Sequence, residues 1–160
     1  MNASTPQPVE FEPAFIAALK KLFEELIVFN RTLGLTITDV TAGHAAASLE
    51  MRPALIGHHA HQRLHGGVIS ATLDAMGGLA IMAAIGARHM DEPVTARMAR
   101  FGKLGTIDLR IDYLRPATGP RFSARAEVIR LGSRVASTRM EFFDAQGRLL
   151  STGAGAYIVS

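Results

Sequence analysis

From Gly66 to Gly86 the chain runs for 21 residues with Asp74 as its only charged side chain. At about 100° per residue, Gly67, Ser70, Asp74, Gly77, Gly78 and Ile81 share one helical sector, so that carboxylate stands on a stripe of small residues. Small side chains let a ligand or another backbone approach closely, whereas a purely structural helix gains more from leucine or isoleucine there. A carboxylate drawn out of water is costly unless paired and holds a proton more readily, conditions that suit a general base. A structural aspartate paired with an arginine is the competing reading. Directly before the helix stand His65, Gly66 and Gly67. A helix start offers unpaired amides and the positive end of the dipole, and glycine lets a substrate oxygen come close, which makes an oxyanion hole. Oxyanion donors together with a carboxylate two turns along are what acyl transfer to water needs.

Four of the six histidines, His58, His59, His61 and His65, fall within eight residues, so a metal site is a rival. The run lacks the helical His pair with glutamate of zinc hydrolases, and Gly57 favours a loop, so no metal or other cofactor is expected. No Ser-His-Asp elbow, P-loop or GxGxxG fingerprint occurs, and without cysteine there is neither a thiol nucleophile nor a disulfide framework.

With 160 residues and 48% apolar composition the chain can bury one core, so residues 11–160 are expected as a single domain behind a flexible tail at 1–10. The start lacks the basic and apolar stretches of a secretory signal, and the cytoplasm is the expected compartment. Only Lys20, Lys21 and Lys103 are lysines among 17 basic residues, and most arginines lie between Arg88 and Arg148. They fit either a phosphate-bearing ligand or solvated strand faces. The 66–86 segment is long enough for a bilayer, but its central aspartate and five glycines argue for a helix buried in protein, and no membrane partner is expected.

The elements that must position these residues follow from periodicity. Pro13 opens an amphipathic helix whose apolar stripe is Phe15, Leu19, Leu22, Phe23 and Leu26 and which ends between Asn30 and Gly34. Residues 33–53 read as strand, turn at Ala42 and Gly43, and strand. In 106–113, Ile107, Leu109, Ile111 and Tyr113 alternate with Thr106, Asp108, Arg110 and Asp112, the clearest strand in the chain. Turn signals at 116–120, 132–133 and 144–147 separate three further runs, and the whole reads as a four-stranded antiparallel meander. The fold class is therefore α+β, a curved antiparallel sheet wrapped around a central helix.

LHGGVISATLDAMGGL resembles the HGG-x6-D signature of hotdog-fold acyl-CoA thioesterases of the PaaI-like group, GTIDLRIDYLRP resembles the strand that follows it, and FNRTLGL is similar to the YigI-like branch. The resemblance covers nearly the whole domain. It implies a hotdog fold and hydrolysis of acyl-CoA, medium- or long-chain in that branch, with Asp74 as base or nucleophile. It further implies that the Gly66 amide holds the thioester oxygen, that His65 helps polarise it, and that Thr106 orients water. His59, Gln62, Gly67 and Ser70 become substrate-contacting positions, and coenzyme A phosphates would meet some arginines. Many members carry asparagine six residues before the HGG histidine, where this chain has His59, so carbonyl polarisation falls to a histidine, to Gln62 or to backbone alone. Edge-to-edge pairing with shared sites is implied, hence a homodimer or homotetramer.

A non-catalytic acyl-CoA-binding module on the same fold is the principal alternative, against which the costly carboxylate argues. An enoyl-thioester hydratase would pair Asp with His, but His65 and Asp74 are nine residues apart on one helix. With two tyrosines and no recognised module, nucleic acid is not an expected partner.

Overall fold

The computed structural model describes residues 9–160, so most of the tail expected at 1–10 lies outside the described residues. The glycine-opened, proline-free stretch forms α3 (Gly66–Arg88), 23 residues and about 35 Å long. It is long and apolar enough to cross a membrane, but 67% of its apolar stretch is buried inside the protein, where it is the core helix. Six strands enclose it: β1 (Thr36–Thr41), β2 (His44–Glu50), β5 (Gly105–Tyr113), β6 (Arg121–Leu131), β7 (Val135–Asp144) and β8 (Leu149–Ile158). A small hairpin of β3 (Ile56–His58) and β4 (Arg63–Leu64) leads into the helix.

The strand order is β1-β2-β6-β7-β8-β5, antiparallel throughout. This corrects the expected four-stranded meander. Hairpins join β6, β7 and β8, but β5 pairs with β8, and β6 pairs with β2. The 114–120 link is not a hairpin turn. Leu114 and Arg115 still donate to the Leu150 carbonyl, the Ala117 carbonyl accepts from Leu64, and that of Pro120 accepts from Met51, so the link crosses from β8 to β2. β5 is left as an edge strand.

Alternation along the strands puts Ala45, Ala47, Phe122, Ala124, Ala126, Ala136, Met140 and Phe142 inward against Leu73, Met76, Leu79, Ala80 and Ile81 of α3. Alanines at the sheet's inner face give a thick helix room to nest. On the outer face arginines pair with acids: Arg125 with Glu141 at 2.6 Å, Arg121 with Glu50 at 2.9 Å, and Arg139 with Glu127 at 3.4 Å. Much of the arginine-rich half is thus a solvated strand face, whose exposed pairs contribute little stability.

The single amphipathic helix expected at the amino terminus is broken into α1 (Pro13–Lys20), a wide turn of i→i+5 type over Lys21–Leu26, and α2 (Val28–Leu33). Ile27, with φ −76° and ψ 96°, is extended between them. Phe15, Leu19 and Phe23 are buried as the stripe predicts, but Leu26 is 60% exposed. Leaving a leucine in water forgoes roughly 1.5–3 kcal/mol, so packing alone does not explain the break. Between α3 and β5 lies α4 (Val94–Ala99), which the sequence pattern did not mark. Its Arg97 is 1% exposed, stacks 4.3 Å from the Phe15 ring centroid and pairs with Glu12, fastening α1 to α4.

Two adjacent glycines of α3 make a controlled comparison. A Cβ at Gly77 would collide with the Tyr157 hydroxyl, while one at Gly78 meets only Leu104, at 3.8 Å. Gly77→Ala should therefore destabilise by about 1–3 kcal/mol, and Gly78→Ala should be neutral or stabilising by up to about 1 kcal/mol, read by denaturant unfolding.

Candidate active site

Asp74 sits half-buried in the middle of α3, and Thr106 Oγ1 donates a hydrogen bond to its Oδ1 at 2.9 Å. Strict alternation along β5 puts Thr106 on the polar face with Asp108, away from the helix. A bulge reverses that. Thr106 pairs with Tyr157 and Asp108 with Ala156, leaving Ile107 without a partner and 57% exposed. The extra residue turns Thr106 onto the inner face, where Leu109, Ile111 and Tyr113 follow. The hydroxyl thus reaches the carboxylate.

Tyr157 lies beneath, opposite Gly77, and its hydroxyl donates to the Asp74 main-chain carbonyl at 3.3 Å. Burial, reinforced by the nearby Asp74 carboxylate, pushes the Tyr157 hydroxyl far above the usual phenol range, so it stays a donor. No arginine or lysine pairs with Asp74 among the described residues, so the reading of a structural ion pair has no partner. A cavity of about 280 Å³ opens on Asp74 and Thr106, with Phe23, Ile27, Phe29 and Leu104 as apolar walls and Asn30 at its side. Larger hollows, of about 480 Å³ beside Arg88, Arg100 and Lys103 and about 550 Å³ on the outer sheet face, do not include Asp74.

At the helix start His65 is the N-cap residue. Its Nδ1 accepts from the Gly67 amide at 2.8 Å, which leaves the ring N–H on the other nitrogen. The Gly66 amide finds no acceptor among the described residues. Tyr113 donates to the Gly66 carbonyl at 2.9 Å and steadies the turn. Ser70 turns its hydroxyl back to the carbonyls of Gly66 and Gly67, at 3.3 and 3.2 Å. His59 and Gln62 are exposed in the β3–β4 loop, Gln62 at a left-handed φ of 48° with its side-chain amide on the His59 carbonyl at 2.8 Å. The other histidines disperse. His58 and His61 stack at 4.7 Å, and no three His, Asp or Glu side chains converge among the described residues.

The arrangement unites Asp74 with Thr106 but separates both from the Gly66 amide expected as the oxyanion donor. Eight residues of helix place the Gly66 amide about 12 Å from Asp74 along the axis, too far for both to act on one carbonyl. Tyr157, Tyr113 and Asn30 were not singled out from the sequence. Tyr113 and Tyr157 pass as ordinary strand residues, and Asn30 falls at an expected helix end, where asparagine is common.

The thioesterase superfamily model matches residues 61–151, a span that includes the helix start, Asp74 and Thr106. The medium/long-chain acyl-CoA thioesterase YigI of Salmonella typhimurium is 35% identical over 143 residues, 87% of this chain and 92% of that protein. Among solved structures, a Shewanella oneidensis protein related to the thioesterase superfamily superimposes with a TM-score of 0.85 at 37% identity, over 94% of this chain and all of that one. A putative thioesterase from Syntrophus aciditrophicus follows at 0.82 and 34% identity, over 92% and 97%. With its sheet wrapped round one long helix in the hotdog manner, and with these relatives along nearly its whole length, the chain belongs to the thioesterase superfamily.

Proposed function

We propose that this protein hydrolyses medium- or long-chain acyl-CoA to the free acid and coenzyme A, residues 11–160 acting as one thioesterase domain. The observation that carries the proposal is Asp74, held by Thr106 at the mouth of an apolar cavity. With Oδ1 taken by Thr106, the other carboxylate oxygen is free to accept a proton from water as the water oxygen attacks the thioester carbon. The C–S bond then breaks, and the thiolate leaves with the proton returned through Asp74. Water activation is preferred to direct attack by the carboxylate because Thr106 already occupies and orients one oxygen. The aromatic and aliphatic walls supplied by Phe23, Ile27 and Phe29 suit a hydrocarbon chain, in keeping with the substrate class in the name of the YigI relative. Absence of cysteine supports a cytoplasmic setting.

The 12 Å between Asp74 and the Gly66 amide makes the working unit a homodimer. β5 has an unpaired edge, with Ile107, Tyr113 and Leu114 exposed along it. Pairing two such edges about a twofold axis brings Asp74 of one protomer to Gly66 of the partner subunit, giving two shared sites.

Free thiol release from a panel of acyl-CoAs tests the chemistry. Asp74→Asn should lower kcat by about 10²-fold or more with KM little changed, and turnover near the parent's would overturn the assignment. Gly66→Pro removes the amide hydrogen at a first helical position whose preceding residue, His65 with φ −66° and ψ 135°, suits proline, at the cost of bringing its ring to about 3.3 Å from the Tyr113 side chain. It should cost about 10²–10³-fold in kcat.

Mixing the two inactive variants tests the shared site. A dimer with one Asp74→Asn chain and one Gly66→Pro chain keeps one intact site of two, so random reassortment should restore about a quarter of parental activity. No recovery would place each site within one chain.

A further inference from the structure

The amino-terminal segment contains a local exchange that packing does not favour. Leu26 is 60% exposed, Val28 and Phe29 stand out beside it, and yet Asn30, a few residues on, is only 4% exposed. Asn30 Nδ2 has no acceptor among the described residues. Buried amides are almost always paired, and an orphaned donor calls for an explanation. A local structural one is not available. The main-chain carbonyl of Asn30 ends α2 by accepting from Gly34 at 2.9 Å and from Leu35 at 3.3 Å, and the side chain takes no part.

Asn30, which carries this orphaned donor, is one of the residues lining the cavity that holds Asp74 and Thr106. The other side-chain donors there are spent: Thr106 Oγ1 on Asp74 Oδ1, and the Tyr157 hydroxyl on the Asp74 carbonyl. The remaining walls, Phe23, Ile27, Ala71 and Leu104, offer nothing to a polar substrate atom. An acyl thioester entering this space brings one strong acceptor near its reacting carbon, the carbonyl oxygen.

We propose that Asn30 is a catalytic residue whose side-chain amide donates to the thioester carbonyl oxygen, as the second donor of the oxyanion site beside the amide of the partner subunit's Gly66. The proposal rests on the thioesterase reading. As the water oxygen bonds to the carbonyl carbon and Asp74 takes its proton, the carbonyl π pair moves onto the oxygen, which the Asn30 N–H then holds. The pair returns as the C–S bond breaks, and the sulfur leaves with the proton from Asp74. The break at Ile27 acquires a purpose, since it seats a polar residue of α2 over α3 rather than continuing the apolar stripe.

Asn30→Leu, close to isosteric, separates this role from a structural one. It should lower kcat by about 10²-fold with little change in KM, while Tm stays at or above the parent's because a buried unpaired amide has been removed. Asn30→Asp, which keeps the shape but removes the donor, should lose turnover as well. Attack by hydroxylamine in place of water should slow in parallel in both variants, because the donor serves the carbonyl. Retained kcat in either variant, a joint fall of kcat and Tm in Asn30→Leu, or a loss confined to water attack would each overturn the proposal. A parent protein inactive on every acyl-CoA would instead sink the thioesterase reading and this inference with it.

Discussion

A 23-residue helix that is apolar on most sides has to be enclosed, and the rest of this fold follows from that requirement. One sheet must curve around α3, and it can approach closely because its inner face is lined with alanine on β2 and β6. Tyr157 can lie flat against the helix only because Gly77 has no side chain. The amino-terminal segment and the ion-paired Arg97 cover the side that the sheet leaves open. An opening remains beside Asp74, so the same packing that solves the burial problem also produces the cavity.

Within that enclosure small departures from regularity do the positioning. One unpaired residue, Ile107, reverses the facing of Thr106 and brings its hydroxyl to the carboxylate. One extended residue, Ile27, interrupts an otherwise continuous amphipathic helix and lets α2 lie over the cavity. Both departures carry a cost, an exposed isoleucine in the first case and an exposed leucine in the second. Local conflicts of this kind gather at functional sites because regular elements alone rarely aim side chains at a common point.

The rigid rise of α3 separates two tasks that acyl transfer must unite. The Asp74 carboxylate in mid-helix and the Gly66 amide at its first turn are held apart by the helix itself, and no side-chain motion closes about 12 Å. In the dimer proposed above, the exposed edge of β5 and the separation of the two groups address one problem, since antiparallel joining of two edges would bring complementary halves together.

Period-two alternation, an uninterrupted apolar stretch and one charge within it are local properties, and from them the long strands, the central helix and the placing of Asp74, His65 and Gly66 on that helix and its start were legible in the sequence. The HGG-x6-D spacing carried the fold family and the chemistry, because both groups ride on one helix whose geometry is set by its residue count. Strand order was not legible: which of β6 or β8 receives β5 depends on a link that runs across the end of α3, and alternation looks the same for either neighbour. Nor were the facing of Thr106, the burial of Asn30 and the roles of Tyr113 and Tyr157, since a bulge, a helix break or a hydroxyl's partner arises from contacts between residues 32, 47 or 83 positions apart. The sequence by itself determined which groups could do chemistry and on which elements they stand. Only the tertiary structure decided which of them meet, because that depends on register and packing between distant segments.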